Sequence, residues 1–528
     1  MARNLGLIVF ISLFSLSSPA LTTIFSNAID FWCNKTPHPQ TCKHFAATNH
    51  HQFQDGIPKS ASQFKNLILR IAMDQSLKTQ THIMWLGSKC VSKQEKEAWR
   101  DCITLYQDTI NILNQALNPT KQSTSFDLQT WLSTALTNID TCQTGFQELG
   151  VSNNNVLSLI PNKNISEIIS NFLALNNAFS LIPSKTNEDG FPRWLSPGDR
   201  KLVESPLLSP DVVVAKDGSG NFETIKEALK AVSKRSGRKR FVIYVKRGVY
   251  DENIVIGKSL KNIMLYGDGI RLTIISGNRS VGGGSTTFNS ATVAVTGDGF
   301  MARDMTFRNT AGAEKHQAVA LRCGADLSVF YRCGFEGYQD TLYVHSQRHF
   351  YKECHIYGTV DFIFGNAAVV FQSCNIYARR PMPKQKNAIT AQGRTDPNQN
   401  TGICIQNSNV MAGEDLVPVL SSFKTFLGRP WKEYSRTVFI HTYIDGLVDP
   451  AGWLEWKGDF ALDTLYYGEY MNLGPRGSTR GRVKWRGYHA ITNATEASKF
   501  TVENFIAGRS WLPATGIPFF SGLYYIVN

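Results

Sequence analysis

The chain has 528 residues, 42% of them hydrophobic, with 55 Lys+Arg against 42 Asp+Glu for a formal net charge of +13. That length exceeds what one core usually serves, so a single small module is excluded and two domains are expected. The charge is uneven, 38 Lys+Arg against 28 Asp+Glu from Glu204 onward (+10) and 17 against 14 before it (+3), which steers the second half toward a polyanion: nucleic acid, an anionic membrane or an acidic polysaccharide.

At the N-terminus, Leu5 to Leu16 is a short apolar run behind Arg3, followed by SSPA at 17–20. This reads as a secretory signal peptide over residues 1–20, too short to span a bilayer comfortably, and no later segment is long enough to be a membrane helix. Sequons at Asn34, Asn164, Asn278 and Asn493 and ten cysteines fit a secretory, oxidising route. Secretion favours the polysaccharide over nucleic acid as the polyanion.

From about Phe31 to Ile182 the periodicity is helical. Phe64, Leu67, Ile68 and Ile71 make one stripe, and Ile103, Tyr106, Ile110, Leu113 and Leu117 a second. Leu128, Leu132, Ala135, Ile139 and Cys142 make a third, and Ile165, Ile168, Ile169 and Phe172 a fourth. Four amphipathic helices predict an up-and-down bundle over 31–182. Cys33 and Cys42 flank a turn-rich segment that a local disulfide would close, and Cys102 and Cys142 lie on two different stripes that a second would tie together. Cys90 is then left over, and spacing alone leaves the connectivity open.

Residues 183–210 carry five prolines and little periodicity, and read as a linker. In it, the dibasic Arg200-Lys201 followed by Leu202-Val203 is a candidate processing site. From Val212 on, short runs such as FVIYV (241–245), NIMLYG (262–267), TIISG (273–277), ATVAV (291–295), QAVALRC (317–323), NAITAQG (387–393) and GICIQNSNV (402–410) read as strands between Gly, Asn and Asp turns. One helix is expected there, TIKEALKAV (224–232), placed to cap an open end.

A repeat organises this part. Cys333, Cys354 and Cys374 are 21 and 20 residues apart in the phrases YRCGF, YKECHI and FQSCNI; Asp340 follows Cys333 by seven residues, as Asp361 follows Cys354. A period of 20 to 25 residues built from short Val/Ile/Phe-rich strands marks a parallel β-solenoid. Strands there lie roughly 4.8 Å apart, so the two carboxylates are expected to face each other across one strand spacing. Two such carboxylates cannot both ionise cheaply; one becomes a proton donor and the other remains a nucleophile. Stacking also brings Cys354 and Cys374 into range for a disulfide between adjacent coils, with Cys333 the competing partner.

Five motifs then carry a family resemblance: Gly248-Val249-Tyr250-Asp251-Glu252, Gln317-Ala318-Val319-Ala320-Leu321, Gly337-Tyr338-Gln339-Asp340-Thr341-Leu342-Tyr343, Gly358 to Gly365 (GTVDFIFG) and Leu427-Gly428-Arg429-Pro430-Trp431. From about Asp211 to the C-terminus the chain resembles plant pectin methylesterases, and 31–182, including Trp131 to Phe146, resembles the invertase and pectin methylesterase inhibitor domain that precedes them in longer members. The resemblance implies a right-handed parallel β-helix over 211–528 that hydrolyses galacturonate methyl esters in homogalacturonan. It implies Asp361 as nucleophile beside Arg429, Asp340 as acid and base, Gln339 and Gln317 as oxyanion donors, and Trp431 and Thr287 as substrate contacts.

His316, His345 and His349 stand near these motifs without nucleophile or metal spacing and read as structural. No metal or organic cofactor is implied. The expected partners are pectin, a proteinaceous inhibitor and a subtilisin-like processing protease, with no nucleic acid, for a monomer secreted to the cell wall. The rivals are a polygalacturonase or pectate lyase, which needs a different carboxylate cluster or a calcium site, and a non-enzymatic inhibitor or wall-binding protein.

Overall fold

The computed structural model describes residues 29–48, 58–151, 160, 162–179, 209–232 and 239–523. The signal segment at 1–20, the dibasic phrase at 200–203 and nearly all of the linker lie outside them. No helix among the described residues is long and apolar enough to cross a membrane. The four sequon asparagines are all exposed.

The helical stripes fold on one another. The long helices Ala61–Leu86, Lys93–Leu117, Ser125–Glu148 and Asn162–Phe179 pack together, with the short Pro39–Thr48 helix beside them. Phe64, Ile68, Ile71, Tyr106, Leu113, Leu132, Ala135, Ile139, Ile165, Ile169 and Phe172 are all buried in their common core. Two helices start with reciprocal caps, Ser92 with Glu95 and Thr124 with Asp127. Disulfides join Cys33 to Cys42 and Cys102 to Cys142, the second tying the Lys93–Leu117 helix to Ser125–Glu148.

From Val212 the chain winds into three sheets of eleven, eight and seven strands, every one of whose pairings is parallel. One coil takes a strand from each in turn: Ser328–Tyr331, Gly334–Glu336 and Leu342–Val344, after which Arg348–Lys352 pairs back onto Ser328–Tyr331. This is a parallel β-helix. Its interior stacks like residues on like: Phe330, Tyr351 and Phe371 are face to face at 4.6 Å steps, and Phe307 lies on Phe335 at 5.5 Å. The Ile225–Val232 helix caps the first coil with Ile225, Ala228, Leu229 and Val232, and the Glu252 carboxylate accepts its Ile225 and Lys226 N–H groups at 2.9 and 3.0 Å.

The cysteine repeat is the trace of one corner. Between the eleven- and eight-stranded sheets every coil from Asp304 to His441 turns through two residues, the first left-handed (Asp304, Arg332, Glu353, Ser373, Asn407 and His441, φ 48 to 57) and the second pointing inward (Met305, Cys333, Cys354, Cys374, Ser408 and Thr442). Asn407 accordingly splits the run expected as one strand at 402–410 into Gly402–Gln406 and Asn409–Ala412. The connection from the eight- to the seven-stranded sheet, by contrast, varies from Gly358–Ile363 to Ala378–Asn387 and Gly277–Val293.

The disulfide expected between Cys354 and Cys374 is not formed. Both are buried free thiols, as are Cys90, Cys323, Cys333 and Cys404. Equivalent positions on neighbouring coils carry nearly parallel Cα–Cβ bonds, whereas a disulfide needs a Cβ–S–S–Cβ twist near 90°. Each thiol instead has carbonyls to donate to: Cys354 reaches those of Phe330 and Lys352 at 3.4 Å, and Cys374 those of Tyr351 and Gln372 at 3.6 Å.

Candidate active site

The expected carboxylate pair sits at the edge of the seven-stranded sheet. Leu342 pairs with Ile363, so Asp340 and Asp361, each two residues earlier, occupy the same place on adjacent strands, about one strand spacing apart. Both are left-handed, at φ 62 and 54, a conformation that Asp tolerates better than most side chains because its short polar group bonds locally. Backbone bonds hold the edge: Asp340 N–H donates to Val360 O at 3.0 Å and Thr359 N–H to Tyr338 O at 2.9 Å. At the other end of the GTVDFIFG phrase only glycine fits, because Gly365 has φ 122 and a Cβ there would lie 2.2 Å from Val344 O.

The outward face of the same sheet is a row set by register, Ala294, Arg322, Tyr343, Phe364 and Ala391. Because Thr390 pairs with Gly428, Arg429 continues that row. Its guanidinium makes a bidentate pair with Asp361, Nε to Oδ1 and Nη2 to Oδ2, both at 2.7 Å, the strong fork geometry of Arg with a carboxylate. Asp340 has no such cation of its own. Burial foremost, then the charges of Asp361 and Glu148, push its carboxyl well above the usual range, with Arg429 acting the other way. The pair is thus unequal: Asp361 is forked onto a guanidinium, and Asp340 is pushed toward its protonated form.

The remaining expected residues cluster unevenly around this pair. Gln339 is half-buried beside Asp340, its carbonyl accepting the Ala318 N–H at 3.2 Å. Gln317 falls one position off, in register with Tyr338, half-buried and next to the left-handed His316. Trp431 stands against the outward row, 5.9 Å from the Phe364 ring and 6.4 Å from Tyr343. Thr287 lies farther along the cleft, two strands from Asp340, at the turn Phe288–Ser290 that Arg322 braces through the Phe288 carbonyl at 2.9 Å. His345 is buried and held well below its usual pKa by burial and then by Arg322 and His349, which fits a structural imidazole. Sequence reasoning missed Trp456, whose ring lies 4.3 Å from the Arg429 guanidinium, and Tyr467, buried near Asp361 and Arg429. The repeated Trp of GWLEW was the available signal for the first; nothing local marked the second.

The helical bundle covers this cleft. Its core runs without a break into Phe288, Ala294, Val319, Tyr343, Phe364, Ala391 and Trp431. Polar contacts ring that seam: Thr141 with His345 at 3.0 Å, Asn366 to Thr137 at 2.9 Å, and the carboxylates of Asp127 with Arg348 at 2.8 Å and Asp140 with Lys432 at 2.8 Å. Asp108 pairs with Lys258, and Asp101 accepts from the Thr286 hydroxyl and the Asn289 amide. Glu148 accepts the Thr287 N–H at 3.1 Å.

Two of these acids make the docking pH-dependent. Burial raises Asp101 to about 7, against the opposing pull of Thr286 and Arg322, and burial likewise raises Glu148. A carboxyl whose pKa is higher docked than free favours docking below its free value of about 4, and that contribution is lost as pH rises through about 7. Lys258, lowered to about 8 by burial, changes docking only above that pH. Amide exchange in the Ser125–Glu148 helix is therefore expected to quicken, beyond its intrinsic pH dependence, between pH 4.5 and 7.5; protection that is flat or rises across that range would contradict it.

Comparison with known proteins agrees with this arrangement. The pectinesterase family profile matches residues 211–509, and the profile of the plant invertase/pectin methylesterase inhibitor family matches residues 27–175. Pectinesterase 2 of Citrus sinensis is 57% identical over 99% of this chain and 100% of its own, and the probable pectinesterase/pectinesterase inhibitor 17 of Arabidopsis thaliana is 56% identical over the same shares. The solved pectin methylesterase from carrot is 61% identical and covers 61% of this chain and 100% of its own, with a TM-score of 0.59. On the β-helix, its cleft and these matches, the chain belongs to the pectinesterase family, with an inhibitor-type helical domain ahead of the pectinesterase domain.

Proposed function

We propose that this pectinesterase hydrolyses the methyl ester of galacturonate residues in homogalacturonan through a covalent acyl-enzyme. The observation that supports this most is the unequal pair: Asp361 forked onto Arg429, and Asp340 in the same register, pushed toward its protonated form by burial and by Asp361. Asp361 attacks the ester carbonyl carbon, and the resulting oxyanion takes hydrogen bonds from the amides of Gln317 and Gln339. As the carbonyl re-forms, the C–OCH3 bond breaks and Asp340 protonates the departing methoxide, which leaves as methanol. Asp340, now a carboxylate, takes a proton from water; the hydroxide attacks the acyl carbon of the anhydride, freeing galacturonate and Asp361.

Trp431 offers an aromatic face to a sugar ring. In this reading the chain is a secreted monomer acting in the plant cell wall. The bundle holds the cleft shut until a subtilisin-like protease cuts the linker. Residues 204–528 alone are expected to release methanol from methyl-esterified galacturonan without shortening it. Chain shortening without methanol, or no product from a folded protein, would overturn the reading.

A further inference from the structure

The C-terminal end of the solenoid closes with a segment of one charge. Between Met471 and Asn493 the chain carries Arg476, Arg480, Arg482, Lys484 and Arg486 and no Asp or Glu. The segment joins the strands Tyr466–Tyr470 and Tyr488–Ala490 across the end of the stack, where Arg476 N–H donates to Ile444 O at 3.0 Å and Val483 N–H to Ala451 O at 3.1 Å. Arg482 rivets it there. Its guanidinium forks onto Glu469, Nε to Oε1 at 2.7 Å and Nη2 to Oε2 at 3.0 Å, and donates to the carbonyls of Pro450 and Arg476 at 3.1 and 2.6 Å. Both side chains are almost wholly buried, at 2% and 1% exposure, so the Glu469 charge is neutralised inside. Asp449 pairs with Lys424 at 3.0 Å and also feels the Arg476 charge. Trp485 packs against the core, and Arg480, Lys484 and Arg486 are left exposed. The neighbouring turn, whose Leu462 carbonyl accepts the Gly487 N–H at 2.9 Å, carries Asp459 and Asp463; among the described residues, however, the ion pair this segment makes is Arg482 with Glu469.

We propose that Arg480, Lys484 and Arg486 form an anchoring site for de-esterified galacturonan, outside the catalytic cleft and open in the uncleaved chain as well as in the released one. This rests on the galacturonan reading above, which makes an acidic polysaccharide the polyanion that the protein meets. The bundle closes the cleft, yet these three side chains are exposed with it docked. A fully esterified stretch offers them no charge, whereas free galacturonates offer a carboxylate on each sugar. The buried fork of Arg482 on Glu469 fixes the backbone that carries the cations, so less of it has to be ordered on binding. Anchoring is then independent of activation. The uncleaved chain is already held on acidic pectin, and after release every ester cut nearby adds a carboxylate for the anchor.

The test is retention on immobilised polygalacturonate across a salt gradient. The full-length parent, whose cleft is covered, is expected to be retained. Arg480→Gln, Lys484→Gln and Arg486→Gln together are expected to weaken its binding roughly tenfold at low salt, the scale of three exposed ion pairs, and to flatten its salt dependence. Arg480→Lys with Arg486→Lys, which keeps the charges, should be retained like the parent. In residues 204–528, which have their own closed core apart from the bundle's except at the cleft, the triple change should leave kcat/KM on a short methyl-esterified oligogalacturonide unaltered. Parent-like retention of the triple variant would overturn the proposal. So would an equal loss from Lys226→Gln, Arg247→Gln and Arg271→Gln, three exposed cations at the far end of the solenoid, since net charge alone would then explain the effect. Retention of residues 204–528 but not of the full-length parent would place the binding in the cleft, and binding to phosphatidylserine vesicles at a salt concentration that strips the protein from polygalacturonate would make the site a membrane contact; either result sinks the anchor. If parent residues 204–528 release no methanol from esterified galacturonan, the galacturonan reading itself has failed, which is a different outcome.

Discussion

Asp361→Asn in residues 204–528 is expected to lower methanol release by on the order of 10⁴-fold or more, the scale of losing a covalent nucleophile that acts as part of a unit. Asp340→Asn is expected to cost at least ~10²-fold, as for a general acid and base. The two differ in what they do to the fold. Asn tolerates the left-handed backbone that both positions need, so neither change strains the edge. Asp361→Asn, however, strips the charge from a bidentate pair with Arg429, and Arg429, with 24% side-chain exposure, is only partly rehydrated; the melting temperature should fall. Asp340→Asn removes the repulsion between its carboxyl and Asp361, which remains when the bundle and Glu148 are gone, so its melting temperature should hold or rise. Methanol assays and thermal melts on both variants check this. Near-parent activity in either, or the opposite order of stabilities, would sink the assignment of roles.

The second large effect is maturation. With the bundle docked, Tyr343, Phe364 and Trp431 share its core and both aspartates are buried. A docked population of 99:1 leaves about a hundredth of the activity, so the full-length chain is expected to be at least ~10²-fold slower than residues 204–528. Cleavage after Val203 falls in the proline-rich linker, ahead of the first strand at Val212. Protein extracted from cell walls is expected to begin at or near Glu204 on N-terminal sequencing. Recovery there of active full-length chains alone would refute both the site and the need for release. The separated part keeps +10 of formal charge, and its hold on acidic pectin should weaken with added salt.

Local regularity decided how much was legible. The 20- and 21-residue spacing gave the coil, and with it the Asp340–Asp361 register, because a solenoid repeats its corner in every turn. The same spacing misled about Cys354 and Cys374: stacking brings them together but sets their Cα–Cβ bonds nearly parallel, which does not suit the twist of a disulfide. Asn407 hid a corner inside an apparently continuous strand because no Gly or Pro marks it, although the inward Ile405 and Val410 stand an odd five residues apart. The docking of the bundle left no periodic trace at all. Glu148 meets Thr287 and Asp101 meets Thr286 across well over a hundred residues of sequence, and each acid reads locally as an ordinary polar position on a helix.

The uneven corners of the coil set where this enzyme can change. Two residues, one of them left-handed, join the eleven- and eight-stranded sheets in coil after coil, so an insertion there would break the match of that corner with those stacked above and below it. The opposite edge already carries loops of several lengths, and Thr287, Gln317, Gln339, Asp340 and Asp361 all sit on it. Lineages can therefore lengthen or trim that rim, altering which polymer is admitted, while the stack beneath stays in step. A library for altered substrate range belongs in the segments Gly277–Val293, Asn309–Leu321 and Ala378–Asn387 with Thr287 and Gln317 held fixed, and nowhere along the cysteine column.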